Sequence, residues 1–536
     1  MGPYRDPGDA ESKDLTPARV YKPQRVGVSG HGMISTQHFL ATEAGVRVLA
    51  EGGNAIDAAV AAAFALGVCE PAASGLGGQT MMLIHAARSR RTFALDGSSR
   101  APNRTVVAEL PRSARRYGYK ATTVPSTPAV LAYALQRYGS MPLAAVIEPA
   151  VELAERGYRV SELQRRLSQR VRKHLQRGSA AQCFLKNSTR SFRVGERFHQ
   201  PVLAETLRRL GRVGVGDFYT GEIAAAMCRD MARQEGLITR EDLAQIPWPI
   251  ERRPVSSHYE GLRLVTFPPP GAGRTLVELL NIVSHFPLKH RSVDTPRGAV
   301  LLAHAIRQAN RDRRDRPYDA SFYAQVTQRK MLSPDHAGVI ARRALKQIRT
   351  HGDTTHLSVM DRQGNVVALT QSIERVYGAC VATPELGFLY NNYMLAFEDE
   401  DIAHPYYLRP NAVPWASVAP TIVLRGRRPW LAIGSPGSER IASSVAQVLL
   451  RLKHHSPFEA VDAPRLHCSV DGTVSLELSR MRSDIPNALR RHGFEIDERD
   501  PYSFYLGCVQ LVIREGDRFV GVADPRRDGS AEGPDR

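Results

Sequence analysis

"HGDTTHLSVMDRQGNVVALTQS", residues 351–372, runs a Gly-Asp pair into two threonines and then into alternating apolar residues. The alternation Leu357, Val359 and then Val366 to Leu369, broken at Gln363-Gly364, reads as a β-hairpin with a short turn. Strands favour threonine, so a Thr-rich hairpin accounts for this segment taken alone. A chemical reading is also open. A threonine hydroxyl is a weak nucleophile and needs a base beside it. A threonine at a chain terminus carries that base itself, as an α-amine whose pKa is about 8. Thr354 gains such an amine only if the chain breaks after Asp353.

Outward from the hairpin, short β runs fill the last third of the chain: "TIVLRG" (421–426) and "PWLAIGSPG" (429–437). Two more lie near the start. "SGLGGQTMMLIHA" (74–86) turns on glycines and enters a buried strand, and "TFALDGSSRAP" (92–102) holds a second. "EGGNAIDAAVAAAFALGVCEP" (51–71) opens on a Gly-Gly-Asn helix-start signal and continues as an Ala-rich helix. Residues 128–290 read as mostly helical, helices continue to about 349, and another covers 437–453. Strands from distant parts of the chain with helices between them predict a layered α/β sandwich. Residues 1–25 and the tail "DGSAEGPDR" (528–536) read as loose ends.

Composition narrows the function classes. With 536 residues and 43% apolar content the chain has material for a large core. The net charge is +18. Its arginines fall in short helical runs such as "RRLSQRVRKHLQR" (165–177), which read as solvated faces, and no nucleic-acid motif accompanies them. A basic surface helps recruit an anionic substrate. The six cysteines lack C-x-x-C spacing and read as free thiols of a reducing compartment. The N-terminus has no apolar signal region, and no apolar run reaches the roughly 18 residues of a membrane span. The expected location is cytoplasmic, with no nucleic-acid partner and no membrane span.

Two further segments complete a possible site. "TQSIERVYG" (370–378) puts a hydroxyl, Ser372, one strand from Thr354. "GSPGSERI" (434–441) is a strand–turn–helix passage whose backbone N–H groups suit an oxyanion hole, and Gly437 permits close approach of a carbonyl oxygen. With "EGGNAIDAAVAAAFALGVCEPAASGLGGQTMML", "ALDGSSRAP", "EGLITREDLA", "FPPPGAG", "GFLYNNYM", "APTIVL" and "GVADPRRDGSAEG", in that order along residues 27–532, the chain resembles the γ-glutamyltranspeptidase (glutathione hydrolase) family.

That resemblance implies a four-layer αββα sandwich of the N-terminal-nucleophile hydrolase type. It implies self-cleavage between Asp353 and Thr354 into a large subunit (26–353) and a small one (354–536) that stay together as a heterodimer. Thr354 is then the nucleophile, Thr355 assists, Ser372 orients the nucleophile, and Gly437 and Ser438 form the oxyanion hole. No metal and no organic cofactor is implied.

The resemblance breaks at the residues that grip glutamate. Where the family carries a carboxylate-binding arginine this chain has Ser98. Glu374 replaces an asparagine, Tyr393 a Gln or Glu, and Ala396 an amine-binding aspartate. Of two serines, Ala416 replaces the first and Ser417 remains. Arg100, two residues beyond Ser98 and on the same face of a strand, is a candidate substitute. A carboxylate buried without a cation costs several kcal/mol. The expectation is therefore an amide hydrolase or acyltransferase with altered acyl specificity, acting on a small-molecule amide or γ-glutamyl-like substrate. An authentic glutathione hydrolase is the alternative within the family, and an inactive scaffold the alternative outside catalysis.

Overall fold

The computed structural model describes residues 23–287, 292–315 and 354–535. The opening stretch is a hairpin. Strands Thr355–Asp361 and Val366–Ser372 pair antiparallel, with Thr355 opposite Gln371 and Met360 opposite Val366. Gly364, at φ +94°, makes the turn, and Asp361 Oδ1 accepts the Asn365 N–H at 2.8 Å. The other oxygen of Asp361 accepts the N–H of Ala55 at 2.9 Å. A carboxylate there meets the positive end of the helix Ala55–Cys69. Asn54 and Asp57 close the same helix end in a reciprocal capping box.

The hairpin occupies the middle of a seven-stranded antiparallel sheet. Its order is Ser530–Glu532, Gly32–Thr36, Thr355–Asp361, Val366–Ser372, Gln79–Ala86, Arg91–Gly97 and Ile250–Arg252. A second seven-stranded sheet runs Val26–Ser29, Arg518–Ala523, Gln510–Glu515, Arg428–Gly434, Thr421–Arg425, Leu262–Thr266 and Val255–Tyr259. Period-two alternation sends the hairpin's side chains to two different cores. Met360, Val366 and Ala368 pack against Ile422, Ala432 and Val512 of the second sheet. Leu357, Val359, Val367 and Leu369 face the other way, into a cluster with the Ala-rich helix Ala55–Cys69. Helices Gly273–Ser284, Pro296–Asp315 and Arg440–Arg451 cover the outer face of the second sheet. The result is helix, sheet, sheet, helix: an αββα sandwich.

The fold corrects three expectations. The stretch taken as mostly helical contains strands at Ile250–Arg252, Val255–Tyr259 and Leu262–Thr266, because "VSSHY" and "LRLVT" alternate too briefly to stand out beside long helices. The tail is not loose: Ser530–Glu532 adds an edge strand to Gly32–Thr36, held by backbone pairing that its small side chains do not advertise. The arm ends earlier than residue 25. The Arg25 and Gln24 carbonyls accept backbone N–H groups from Ala523 and Ala531. The cleavage partner Asp353 and residues 1–22 lie outside the described residues.

Candidate active site

Thr354 stands immediately before a central strand, and its side chain is buried. Its hydroxyl lies 3.5 Å from Ser372 Oγ, at the end of the neighbouring strand. Ser372 Oγ also accepts the N–H of Glu374 at 2.8 Å and is hydrogen-bonded to the Tyr393 phenol. Burial pushes that phenol's pKa well up, so Tyr393 stays protonated. Thr355 Oγ1 donates to Glu70 Oε2 at 2.5 Å and lies 3.2 Å from Gln37 Oε1. Arg527 Nη1 bridges Glu70 Oε1 at 2.7 Å and the Thr354 carbonyl at 3.1 Å. Neighbouring Arg526 is buried and paired with Glu477 at 2.6 Å and Asp524 at 3.1 Å, which fixes the loop that presents Arg527.

The proposed oxyanion donors lie at the same end of the sandwich. The last residue of strand Arg428–Gly434 packs on His356, near the start of the Thr354 strand: a Cβ on Gly434 would fall 2.2 Å from that ring. The chain then turns through Gly437 (φ +121°) and Ser438 (φ +53°) into the helix Arg440–Arg451. Their carbonyls accept the N–H groups of Arg440 and Ile441 at 3.0 Å each. Among the described residues neither the Gly437 nor the Ser438 N–H is committed to a protein acceptor. Two uncommitted N–H groups on one turn are available as donors to an oxyanion. His356 itself is no base: burial lowers its pKa to about 3, and Thr370 and Ser358 engage its two nitrogens.

A cleft of about 700 Å³ gathers four of the predicted substrate-side and oxyanion residues: Glu374, Ala396, Ser417 and Ser438. Leu395, Phe397 and Trp415 supply apolar wall. Ser98 and Arg100 are not among its lining. Ser98 Oγ donates to Asp96 Oδ1 at 2.5 Å, and Asp96 is paired with Arg252 at 2.7 Å. Arg100 reaches the Asn411 carbonyl at 3.5 Å. Ala416 faces the core between the sheets. Glu374 holds φ +75°, a conformation an asparagine adopts more readily than a glutamate, so the substitution carries backbone strain into the cleft.

The sequence reading missed Glu70, Arg527 and Gln37, which hold the threonine pair, and Arg313. Arg313 donates to Ser417 Oγ at 3.3 Å and to the Ala416 carbonyl at 2.9 Å, and its guanidinium lies 4.8 Å over Trp415. Glu70 and Arg527 do sit in motifs that had been singled out, "CEPAASGLGG" and "DPRRDG". An acid and an arginine, each close to a glycine-containing turn, were the available signal. Among the described residues no cluster of His, Cys, Asp and Glu could hold a metal, no helix is long and apolar enough to cross a membrane, and all six cysteines are free thiols.

The layering, with a strand-initiating threonine at its centre, is that of an N-terminal-nucleophile hydrolase. Its sandwich superposes on the crystal structure of a cephalosporin acylase from Bacillus halodurans with a TM-score of 0.86 and 28% identity, over 97% of this chain and 98% of that one. The chain belongs to the γ-glutamyltranspeptidase family and is an enzyme: the Gamma-glutamyltranspeptidase profile matches residues 41–533. It is 30% identical to a glutathione hydrolase proenzyme of Bacillus subtilis (strain 168), over 98% of this chain and 95% of that one. It is 34% identical to an acylase ACY 1 proenzyme of Pseudomonas sp. (strain SE83), over 93% of each.

Proposed function

We propose that the protein is a self-processing N-terminal-threonine amide hydrolase or acyltransferase whose acyl pocket no longer suits a γ-glutamyl group. In processing, Thr354 Oγ attacks the Asp353 carbonyl carbon. The peptide C–N bond breaks, which frees the Thr354 amine and leaves Asp353 as an ester on Thr354 Oγ. Water then hydrolyses that ester to the Asp353 carboxylate and the free Thr354 hydroxyl. The Bacillus subtilis glutathione hydrolase and the Pseudomonas acylase ACY 1 named above are proenzymes, which supports this step. The two fragments then remain one heterodimer, because the Thr354 hairpin is paired on both sides by strands from before residue 100.

In turnover the free amine takes the proton from Thr354 Oγ as the oxygen attacks the substrate amide. The N–H groups of Gly437 and Ser438 hold the oxyanion, and the amine half leaves with a proton. Water or an acceptor amine then breaks the acyl ester. Ser372, fixed by Tyr393 and the Glu374 N–H, keeps the nucleophile's hydroxyl in one orientation. No step draws on a metal or organic cofactor.

The observation that carries this reading is the Thr354–Ser372 hydroxyl pair at the head of a central strand. The altered specificity is supported by Ser98, whose hydroxyl is engaged by Asp96, and by Ala396, which offers no carboxylate to an α-amine. Glu374 in the same cleft disfavours a substrate carboxylate beside it. A panel of γ-glutamyl-p-nitroanilide and simple acyl anilides tests the pocket. Acyl anilides are expected to turn over faster; efficient γ-glutamyl release would instead make the protein an ordinary glutathione hydrolase.

A further inference from the structure

A second cleft, of about 840 Å³, opens beside the same turn, lined by Gly437 and Arg527. Arg116 and Arg375 line both clefts, so the two adjoin. Nine arginines line the second one, against two aspartates, Asp500 and Asp528. Arg25 donates to the backbone carbonyls of Asp524, Arg527 and Gly529, and Arg440 lies 3.9 Å from Glu439. The other seven fall into two sets. Arg499, Arg526 and Arg527 are neutralised by Asp497, Glu477 and Glu70. Among the described residues Arg116, Arg166, Arg170 and Arg375 have no carboxylate within ion-pair distance, and the buried Nε of Arg375 has no hydrogen-bond partner.

Two of these four come from the run that had read as a solvated helix face. On the helix Glu162–Arg177, Arg166, Arg170 and His174 recur every fourth residue, as do Leu163, Leu167 and Val171. All six line the cleft. Residues at that spacing share a face, so the helix presents a cationic ridge beside an apolar one. His174 is stacked on Tyr117 with ring centroids 3.7 Å apart, and burial and nearby arginines lower its pKa. The positive charge here is therefore carried by guanidinium, not by imidazole. Glu374 attracts Arg375 from the adjoining cleft, and Asp500 and Asp528 line this one, so the arginines outnumber their counter-charges. Like charges held together in such excess are stabilised by an anion that enters.

We propose that this cleft binds the amine half of the substrate, the part released from or delivered to the acyl group, and that this half bears a carboxylate or phosphate on an apolar or aromatic body. Naming it the amine half rests on the reading of Thr354 given above; the anion site itself does not. In the acylation step the C–N bond to this half breaks, and its nitrogen takes the proton held by the Thr354 amine. The anion stays on the arginines throughout and takes no part in the bond changes. The apolar ridge and Phe504 contact the body that carries it.

Calorimetric titration of the purified full chain with 4-aminobenzoate, 4-aminophenyl phosphate and neutral 4-aminobenzamide tests the assignment. One or both anions should bind at least about tenfold more tightly than the amide, with an advantage that shrinks as salt is added. Which anion shows it identifies the group. An Arg166→Gln/Arg170→Gln variant should lose the advantage; both side chains are exposed, so the fold is not at stake. Arg375→Gln provides an independent second variant. Equal binding of all three probes, or an anion preference that survives in every variant, overturns the proposal. Binding needs no turnover, so an uncleaved chain that still prefers anions would count against the Thr354 mechanism and not against the anion site.

Discussion

Arg527 Nη1 stands 2.7 Å from Glu70 Oε1, joining residues 457 positions apart across the two sides of the proposed scission point. The same guanidinium holds the Thr354 carbonyl, and the same carboxylate holds the Thr355 hydroxyl. Thr354 and Thr355 are thus clamped by one residue from before the proposed scission point and one from near the C-terminal end of the chain.

Breaking that pair exposes its energetics. Arg527→Gln leaves Glu70 charged and nearly buried, which is expected to destabilise the protein by about 3 kcal/mol. The double variant Glu70→Gln/Arg527→Gln leaves no charge uncompensated and should recover part of the loss. Urea midpoints of the two single variants and the double measure this. Additive losses would mean that the pair is not coupled.

The turn at Ser438 makes an opposite prediction. Ser438 sits at φ +53°, where a side chain is strained, and its contribution to the site is a backbone N–H. Ser438→Gly should therefore stabilise by about 1 kcal/mol and leave turnover close to wild type. Gly437→Ala, at φ +121°, should re-aim the donors and lower turnover by about 100-fold. A large rate loss in Ser438→Gly would show that its hydroxyl, not its N–H, is used.

Stability should fall with pH through two buried histidines. Burial lowers the pKa of His38 to about 4 and of His356 to about 3, from an ordinary 6.5. Below 6.5 the unfolded chain takes up protons that the folded chain refuses. Stability is therefore full above pH 6.5 and is lost as pH falls toward the folded values, at about 1.4 kcal/mol per pH unit for each histidine. His38 caps the helix Phe39–Ala50 through its ring, accepting the Leu40 N–H. Asparagine caps equally well and does not titrate. His38→Asn should therefore flatten the slope between pH 6.5 and 4.5 by one histidine's share; an unchanged slope would remove His38 from the account.

The hairpin, the helix after Asn54 and the layered α/β class were legible because period, capping and turn chemistry are local. What escaped was non-local. The strand Ser530–Glu532 exists because Gly32–Thr36 offers an edge, not because "SAE" favours extension. Val255–Tyr259 and Leu262–Thr266 are short and follow a long helical region, so their alternation was submerged. The same holds in the site. Thr354, Ser372 and the Gly437–Ser438 turn were singled out by their chemistry together with the family resemblance, and the fold brings the Thr354 and Ser372 hydroxyls together. Glu70 and Arg527 were not, since a charged residue reveals its partner only once the chain is folded. Arg166 and Arg170 were read correctly as one helical face, but the cleft that face borders is built by distant segments.

The central claim is that residue 354 begins a chain. Intact mass and N-terminal sequencing of the purified protein should give a 353-residue fragment and a 183-residue fragment whose first residue is Thr354, while Thr354→Ala stays whole. A single uncut chain of 536 residues from the wild-type protein, indistinguishable from that of Thr354→Ala, would contradict it.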